Sequence, residues 1–319
     1  MEQQCSCRFC NSKATKKLYS AIDIFDESWF IYQCSSCGAY FLAPFPGTAI
    51  LRKAYDAAYY GTGKNKFIFS VEHFIDFFRK RKAKNISKMI PVNAKLLDIG
   101  CGNGRFLKHL SSLGRYELHG TEIEGGSAIR ASHINEIKLK IGQINIDDFP
   151  ENYFDTITLF HVFEHLEKPK ETLEIISKIL KKNGLLILTF PNISSWQAKL
   201  FKGNWYHLDP PRHLIFFNPE NFIKIMDTLG FALKKKSYFS FEQNPYGWVQ
   251  SILNSINNRR EFLYERLKGN KTYAPENGFI KYFLNMIFFI FTFPFFAIFD
   301  FIESLFHKGA TVKMEFIKK

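Results

Sequence analysis

Two pairs of closely spaced cysteines near the start of the sequence are candidate metal ligands. Cys7 and Cys10 form one Cys-x2-Cys pair, and Cys34 and Cys37 form the second. Each pair can present two thiolates from one tight turn, and two such turns complete a tetrahedral four-sulfur shell around zinc. Because four protein ligands leave no open position for water, we expect a structural zinc. Cys5 is close enough to replace Cys7, and a redox pair or a chance cluster of thiols is the alternative.

A glycine-rich segment that follows a short apolar run is a candidate ligand-binding loop. Gly100, Gly102 and Gly104 alternate with other residues, the first of which is Cys101. Glycine lets the backbone approach a ligand closely, and the N-terminus of the helix predicted to follow favours anionic groups. The dinucleotide-binding pattern requires a third glycine where this chain has Arg105. The spacing therefore favours a different nucleotide ligand.

Two acidic residues narrow the chemistry of that ligand. Asp98 lies two residues before the first glycine, where a carboxylate repels a pyrophosphate but attracts the cationic amino-acid end of S-adenosylmethionine (SAM), directly or through water. Glu122 ends the next predicted strand, which is where doubly wound folds carry an acid that binds ribose hydroxyls. The alternative is that both acids only stabilise turns.

A first group of polar residues suited to proton transfer or metal binding follows the fourth predicted strand. His161, Glu164 and His165 have the spacing i, i+3, i+4, which brings side chains to one face of a helix. Histidine and glutamate both bind divalent metal ions. The alternative, which we favour, is that Glu164 and His165 cap or orient the helix.

A second group follows the fifth predicted strand and contains His207, Asp209, Arg212 and His213. The carboxyl ends of such strands face the ligand crevice of a doubly wound sheet. Histidine titrates near neutral pH and suits a general base, so we predict His213 in that role, with Asp209 orienting it. Arg212 would hold an acidic or phosphorylated substrate. The alternative is a hydrogen-bonded turn that shapes a pocket without proton transfer.

The elements that carry these residues alternate between strands and helices. Hydrophobic residues make up 46% of the chain and charged residues 23%, which excludes a disordered chain, a collagen and a coiled coil. Strand–helix alternation is typical of an α/β fold with a doubly wound parallel sheet. The five strands predicted first are at 96–99, 118–122, 138–141, 154–160 and 185–190, and two later strands are at 231–239 and 310–317.

We predict five segments along the chain, divided where composition and periodicity change. Residues 48–92 and 246–266 each have helical periodicity, and Tyr282–Phe299 is almost entirely apolar. The predicted segments are a zinc ribbon at 1–45, a helical linker or lid at 46–92, a core at 93–242, an apolar helical insert at 243–307 and the final strand at 308–319.

The motifs along the core resemble those of the class I SAM-dependent methyltransferases, which have a Rossmann-like seven-stranded sheet. Trp205–Leu214 is the most specific of them, and it resembles a bacterial subfamily that often carries an N-terminal zinc ribbon. That subfamily is commonly linked to the biosynthesis of cell-surface glycans, lipids or other small molecules. Besides the glycine-rich loop, the segments that carry the resemblance are Phe154-Asp155, His161–Leu166, Phe190–Asn192 and Trp205–Leu214.

The resemblance implies roles for individual residues in binding SAM. Glu122 would bind both ribose hydroxyls, and Ile123 would pack on adenine. Gln143 and Ile144 fall in the loop at the adenine edge, where Gln143 replaces the family's usual acid. The residues expected around the methionine end are Asp98, Gly100, Cys101, Gly102 and Gly104, and those expected to flank the transferred methyl group are Phe160 and His161.

The apolar insert and the charge of the chain suggest a membrane surface. Lys and Arg exceed Asp and Glu by 13, and a basic chain suits anionic partners. Tyr282–Phe299 is at the lower length limit of a transmembrane helix. If residues 310–317 return to the sheet, the chain crosses a bilayer an even number of times, so we expect a helical hairpin that packs on the protein or enters one leaflet. We favour peripheral membrane contact through residues 243–307, against a buried helix or an oligomer interface.

These observations predict a SAM-dependent methyltransferase that acts on a small-molecule, saccharide or lipid-linked acceptor. We expect a cytoplasmic protein, peripheral on the inner face of the membrane, because the first residues have no apolar signal segment. A cytosolic setting keeps thiols reduced, which favours metal binding over disulfides. A methyltransferase acting on ribosomal or transfer RNA is the first alternative, although Phe190–Ile193 lacks the (Asn/Asp)-Pro-Pro-(Tyr/Phe) motif of base-amino methylases. A non-catalytic SAM-binding module is the second.

Overall fold

The centre of the molecule is a seven-stranded sheet. The computed structural model describes residues 5–55, 69–269 and 278–319. The sheet has the strand order β10-β11-β8-β7-β4-β5-β6, which confirms the predicted α/β doubly wound fold. Its strands are β4 Lys95–Ile99, β5 Glu117–Glu122, β6 Ile137–Ile141, β7 Phe154–Phe160, β8 Leu180–Pro191, β10 Phe231–Ser237 and β11 Thr311–Lys318.

Five neighbouring strands of this sheet, from β8 to β6, run parallel. The central strands are apolar on both faces, as Leu96, Leu97 and Ile157 illustrate by their complete burial. This pattern is expected where helices cover both faces of a parallel sheet. β11 pairs antiparallel with β8 and β10, so the final predicted strand does return to the sheet.

Ten α-helices surround the sheet in the described residues. The prediction of a single helix over 246–266 is wrong, because the chain turns at Glu261, which has a positive φ of 56°. The predicted helical region 48–92 contains two helices, and residues 56–68 lie outside the described part. The helices are α1 Thr48–Ala54, α2 Phe69–Ser87, α3 Arg105–Ser111, α4 Gly126–Ser132, α5 Pro169–Ile179, α6 Trp196–Phe201, α7 Pro219–Thr228, α8 Asn244–Ile256, α9 Phe262–Leu267 and α10 Phe279–Leu305.

A second, four-stranded sheet contains the N-terminal segment. It has the order β1-β2-β3-β9, with β1 Thr15–Ile22, β2 Ser28–Cys34, β3 Tyr40–Ala43 and β9 Ile215–Phe216. β9 belongs to the core in sequence, and it pairs with β3 through Tyr40 and Phe41. Trp29 and Trp205 are buried in the same apolar cluster, so the N-terminal sheet packs directly on the core. The predicted segment boundary at residue 45 stays a prediction.

The apolar run of the insert lies in one long helix, α10, and does not itself form the predicted helical hairpin. α10 runs without interruption from Phe279 to Leu305, through Pro294. By length and composition it could cross a membrane, and it is the only such helix in the described ranges. It packs mainly on α8, and five residues separate its end from β11.

Candidate functional site

A cleft of about 470 Å³ opens at the carboxyl ends of the parallel strands. This is the edge where doubly wound sheets bind ligands, at the point where the strand order reverses between β4 and β7. Several residues expected to contact SAM line the cleft together. They are Gly100, Gly102, Glu122, Ile123, Gln143, Ile144, Phe160 and His161.

The glycine-rich loop after β4 is held against the end of β5. Gly102 N donates a hydrogen bond to Glu122 Oε2 at 2.6 Å. Gly100 has a φ of 68°, and a Cβ added there would lie 2.4 Å from a methyl carbon of Val162. Only glycine suits that position, because it tolerates a positive φ and leaves room for the neighbouring chain. The loop and the Glu122 carboxylate therefore form one rigid wall of the cleft.

Gly104 and Cys101 lie behind this wall. Gly104 has a φ of 72° and begins α3, where an added Cβ would come within 2.8 Å of Ile134. Cys101 is buried, and its Sγ would lie 2.7 Å from a Cβ added to Gly120. Burial raises the pKa of the Cys101 thiol. Their contacts pack α3 and the loop onto the sheet, and their predicted contact with SAM stays a prediction.

The Asp98 carboxyl group is buried at the end of β4. The hydroxyl of Thr158 donates a hydrogen bond to Asp98 Oδ1 at 2.6 Å. Burial raises the pKa of Asp98 to about 7, although Thr158 and Lys82 favour the ionised form. The group can therefore hold or release a proton near neutral pH, depending on what binds above it.

The remaining wall is partly apolar and partly polar. Ile144 is buried, whereas Ile123 is partly exposed, as a side chain that packs on a planar ligand would be. The ring of Phe160 packs edge-on against Phe106, and Lys82 Nζ from α2 lies 4.2 Å from the centre of the Phe160 ring. α2 therefore reaches the residues expected beside the methyl group.

The structure brings the two predicted histidine groups together. A carboxylate oxygen of Glu164 and one ring nitrogen each of His165 and His213 lie within 4.8 Å of one another. The expected α-helix around them is wrong: Phe163–His165 is a 3-10 turn, and His161 has a positive φ of 55°.

Glu164 is the buried anion at the centre of this cluster. Neither of its carboxylate oxygens accepts a hydrogen bond from the described residues, and His161 Nδ1 lies 3.4 Å from Oε1. Burial acts to raise the pKa of Glu164, but His161, His213 and His165 hold it below its ordinary value. The carboxylate is thus available to orient a histidine or to bind a cation.

His165 and His213 both use Nδ1 to bind the backbone. His165 Nδ1 lies 3.0 Å from Arg212 O and 2.8 Å from the Tyr55 hydroxyl, and His213 Nδ1 lies 2.8 Å from His207 O. A carbonyl can only accept, so each Nδ1 carries a hydrogen, and in a neutral ring Nε2 then has the lone pair. Burial and His213 lower the pKa of His165 to about 4. Histidines anchored in this way are typical of metal ligands, so Glu164, His165 and His213 have the composition of a metal site.

Arg212 is buried and held by two carboxylates. Its guanidinium donates hydrogen bonds to both oxygens of Asp209, and Glu261 lies 3.8 Å away. Burial works to raise the pKa of Asp209, but Arg212 and His213 bring it to about 2. The expected pairing of Asp209 with His213 is present at 3.7 Å. Arg212, Asp209 and His213 do not line the cleft, so the contacts of Arg212 indicate a structural role, and its predicted role in substrate binding stays untested.

Four residues that line the cleft were not predicted from the sequence, although they lie in the segment predicted to be a helical linker or lid. They are Thr48, Leu51 and Arg52 of α1 and Tyr55 just after it. Arg52 adds a cation there. No motif marks these residues, and the only signal is that they precede the core in a segment predicted to be a helical linker or lid.

The four predicted zinc ligands form a compact group. Cys7 Sγ lies 3.6 Å from Cys37 Sγ, and Cys10 Sγ lies 3.6 Å from Cys34 Sγ. A disulfide needs about 2.05 Å, whereas Zn–S bonds of about 2.3 Å in a tetrahedron separate the sulfurs by about 3.8 Å. The geometry fits a zinc site, and Cys5 is not part of the group.

Comparisons with known proteins agree with the fold and the cleft. A family model described as a methyltransferase domain matches residues 71–236, just over half of the chain. Uncharacterized protein RP028 of Rickettsia prowazekii is 28% identical over 209 residues, which are 60% of this chain and 75% of that protein. A ubiquinone biosynthesis O-methyltransferase of Glaesserella parasuis is 29% identical over 108 residues, 31% of this chain and 45% of the enzyme. The chain thus spans less than half of that enzyme.

A solved structure supports the fold alone. It is a candidate sarcosine dimethylglycine methyltransferase from Galdieria sulphuraria, with a TM-score of 0.50 and 14% identity, covering 77% of this chain and 85% of that one. Together with the matched family model, the glycine-rich loop and the ribose-type acid on one wall of the cleft lead to one conclusion. The chain belongs to the methyltransferase-domain family and is a class I SAM-dependent methyltransferase.

Proposed function

We propose that this methyltransferase transfers the methyl group of SAM to a hydroxyl of a small-molecule, saccharide or lipid-linked acceptor. The observation that carries the proposal is the pairing of His161, on the cleft wall, with the buried carboxylate of Glu164 behind it. A hydroxyl must lose a proton as it attacks, and a histidine backed by a carboxylate can take that proton. The similarity to a ubiquinone O-methyltransferase supports the same chemistry.

Different residues of the cleft would bind SAM and align the acceptor for an in-line displacement at the methyl group. When bound, SAM supplies an electrophilic methyl group on a sulfonium. Glu122 would hold the ribose, and Asp98 would attract the cationic amino-acid end. Phe160 and His161 would flank the acceptor oxygen and align it with the methyl group.

His161 would remove the acceptor proton at Nε2. Its Nδ1 lies 3.4 Å from Glu164 Oε1, and the tautomer that directs an Nδ1 hydrogen toward this carboxylate has its lone pair at Nε2. His213, the base predicted from sequence, is the alternative candidate for this role, because it contacts Asp209. The position of His161 on the cleft wall favours it over His213, which lies behind the wall.

The acceptor would carry an anionic group near Arg52. This side chain is exposed on the cleft wall contributed by α1, and guanidinium groups bind carboxylate and phosphate in a bidentate manner. Arg52 would thereby take the role that sequence reasoning gave to Arg212.

We infer that the four thiolates of Cys7, Cys10, Cys34 and Cys37 hold a structural zinc ion. Their spacing in the structure supports this, and no step of methyl transfer involves them. Zinc would fix the turns that end β2 and precede β1, so that the N-terminal sheet keeps its pairing with β9.

Transfer of labelled methyl groups by two matched variants tests the proposed base. Wild-type protein, His161→Asn and His213→Asn are incubated with methyl-labelled SAM and an extract of the source cells, and SAM affinity is measured by calorimetry. We expect His161→Asn to lose at least 100-fold of the transfer rate with SAM affinity within about threefold of wild type. Near-normal transfer by His161→Asn together with a large loss in His213→Asn would return the role to His213.

A further inference from the structure

The outward face of α10 is apolar along its whole length. Phe291 is 77% exposed, Ile298 71% and Phe283 55%, although such side chains normally lie in a protein core. No charged side chain of the helix is among its exposed residues. At 1.5 Å per residue, the 27 residues of α10 extend this face over about 40 Å.

Three polar side chains of α10 point the other way, into the protein. Asn285, Asp300 and Glu303 are buried. Asn244 Nδ2 donates a hydrogen bond to Asp300 Oδ1 at 2.6 Å, and Trp248 Nε1 donates one to Glu303 Oε2 at 2.8 Å. A surface helix in a water-soluble protein has the opposite arrangement, with its charged residues outward. The outer face of α10 therefore suits an apolar medium.

Both ends of α10 are tied to the same body of the protein. At the N-terminal end, a Cβ added to Gly278 would lie 2.9 Å from Phe262 of α9. The Arg260 guanidinium just before α9 donates hydrogen bonds to the carbonyl oxygens of Gly203 and Trp205 in the core. At the other end, β11 enters the sheet. The helix therefore lies along the surface of the protein, and both of its ends stay on the same side of any membrane that it contacts.

Aromatic side chains extend this apolar face toward α2. The ring of Phe293 in α10 packs on Phe241 with 5.7 Å between centres, and Phe241 stacks on Phe78 of α2 at 6.1 Å. Beyond them, Phe74 is 43% and Phe77 58% exposed. α2 itself is bound to α3, next to the glycine-rich loop, through the ion pair between Glu72 and Arg105. We call the outward face of α10 with Phe74 and Phe77 the apolar platform.

Positive charge borders the apolar platform. The basic run Arg79–Lys82 lies on α2, where Lys80 and Arg81 are exposed. Lys281 lies near the start of α10, where burial and the charge of nearby Arg259 lower its pKa. Together with the net charge of +13, these groups favour an anionic surface.

We propose that the apolar platform docks on an anionic lipid membrane, with α10 lying in the plane of one leaflet. The hydrocarbon of a membrane forms no hydrogen bonds with a protein. An interface between two protein copies, in contrast, has about one hydrogen bond per 100–200 Å² of interface area. The outward face of α10 offers no polar side chain for such bonds in its described residues. A membrane therefore fits this face better than a second copy of the chain, and the proposal is independent of the acceptor.

Vesicle co-sedimentation tests the proposal. Full-length protein is mixed with vesicles of phosphatidylcholine alone or with phosphatidylglycerol added, and the bound fraction is measured. We expect the protein to bind the anionic vesicles, and to bind vesicles of phosphatidylcholine alone at least tenfold more weakly. The test variant, which should lose at least tenfold in partitioning, combines Phe283→Asp, Phe291→Asp and Ile298→Asp.

A matched control changes three exposed apolar residues elsewhere. Val92, Leu113 and Ile129 are 82%, 45% and 62% exposed, so Val92→Asp, Leu113→Asp and Ile129→Asp add the same three negative charges and remove exposed apolar side chains, as the test variant does. We expect this control to bind vesicles within about twofold of wild type, and both variants to keep SAM affinity. Equal losses in both variants, no binding of wild type, or a wild-type dimer that the α10 variant dissociates would each overturn the proposal.

Discussion

The buried carboxyl group of Asp98 should make SAM binding depend on pH. With a pKa of about 7, it is largely protonated at pH 6 in the free protein. A cationic amino-acid group above it would stabilise the ionised form, so binding must release the proton that Asp98 holds. The sign follows directly: SAM affinity falls as the pH drops below 7.

The size of the effect follows from the same pKa. Protonation weakens binding by about 11-fold at pH 6 and about 1.3-fold at pH 7.5, so affinity should change by about eightfold between these values. The α-amino group of SAM has an ordinary pKa of about 7.7–8.0 and stays mostly protonated in this range. Its slight loss of charge at pH 7.5 reduces the expected change to about fivefold.

Calorimetry at two pH values measures this coupling. Titrations at pH 6 in two buffers of different ionisation enthalpy should report the release of about 0.9 proton per SAM bound. Asp98→Asn should bind SAM more weakly at pH 7.5, with little pH dependence and little proton release. Wild-type affinity that is the same at pH 6 and 7.5, without proton release, would refute the role given to Asp98.

Three further substitutions test separate parts of the account. Glu122→Gln should weaken SAM binding at least about tenfold by calorimetry, because a charge-assisted hydrogen bond is worth about 1.5–3 kcal/mol, and unchanged affinity would contradict the ribose role. Cys34→Ser should lose the single zinc ion detected by metal analysis of wild type and lower the melting temperature; a metal-free wild type would refute the site. Arg212→Met should cost about 3–5 kcal/mol of unfolding free energy in denaturant titrations, since Asp209 loses its buried partner; a cost under about 1 kcal/mol would show that Arg212 is not structural.

Features set by neighbouring residues could be predicted from the sequence. The glycine spacing after β4 and the acid that ends β5 fix a local backbone shape, and Gly102 and Glu122 do meet at the cleft. The strands were visible because parallel strands buried on both faces are continuous apolar runs. The four cysteines were visible because two tight turns each determine a pair of thiols.

Contacts between distant parts of the chain could not be predicted in this way. Tyr55 meets His165 across 110 residues, and β9 joins the N-terminal sheet through only two residues. Glu164 and His213 form a single cluster because two loops pack together. The sequence shows each loop separately and does not show that they are in contact. The turn at Glu261 was missed because a positive φ at a non-glycine residue has no signature in residue type.

The outward face of α10 illustrates a different limit. The sequence shows an apolar run, but hydropathy is the same whether the polar residues of a helix face the protein or the surroundings. Only the contacts of Asp300 and Glu303 with α8 and the preceding loop show that they point inward. The predicted membrane contact stays a prediction, whereas a hairpin within the apolar run is wrong because α10 is one helix.

The class of acceptor is tested most directly with methyl-labelled SAM. The purified protein is incubated with an extract of the source cells that has been separated into lipid, glycan, small-molecule, protein and nucleic-acid fractions, with His161→Asn as the control. We expect label in the lipid, glycan or small-molecule fraction, and we expect His161→Asn to abolish it. Label confined to RNA or protein, or none in any fraction while SAM still binds, would contradict it.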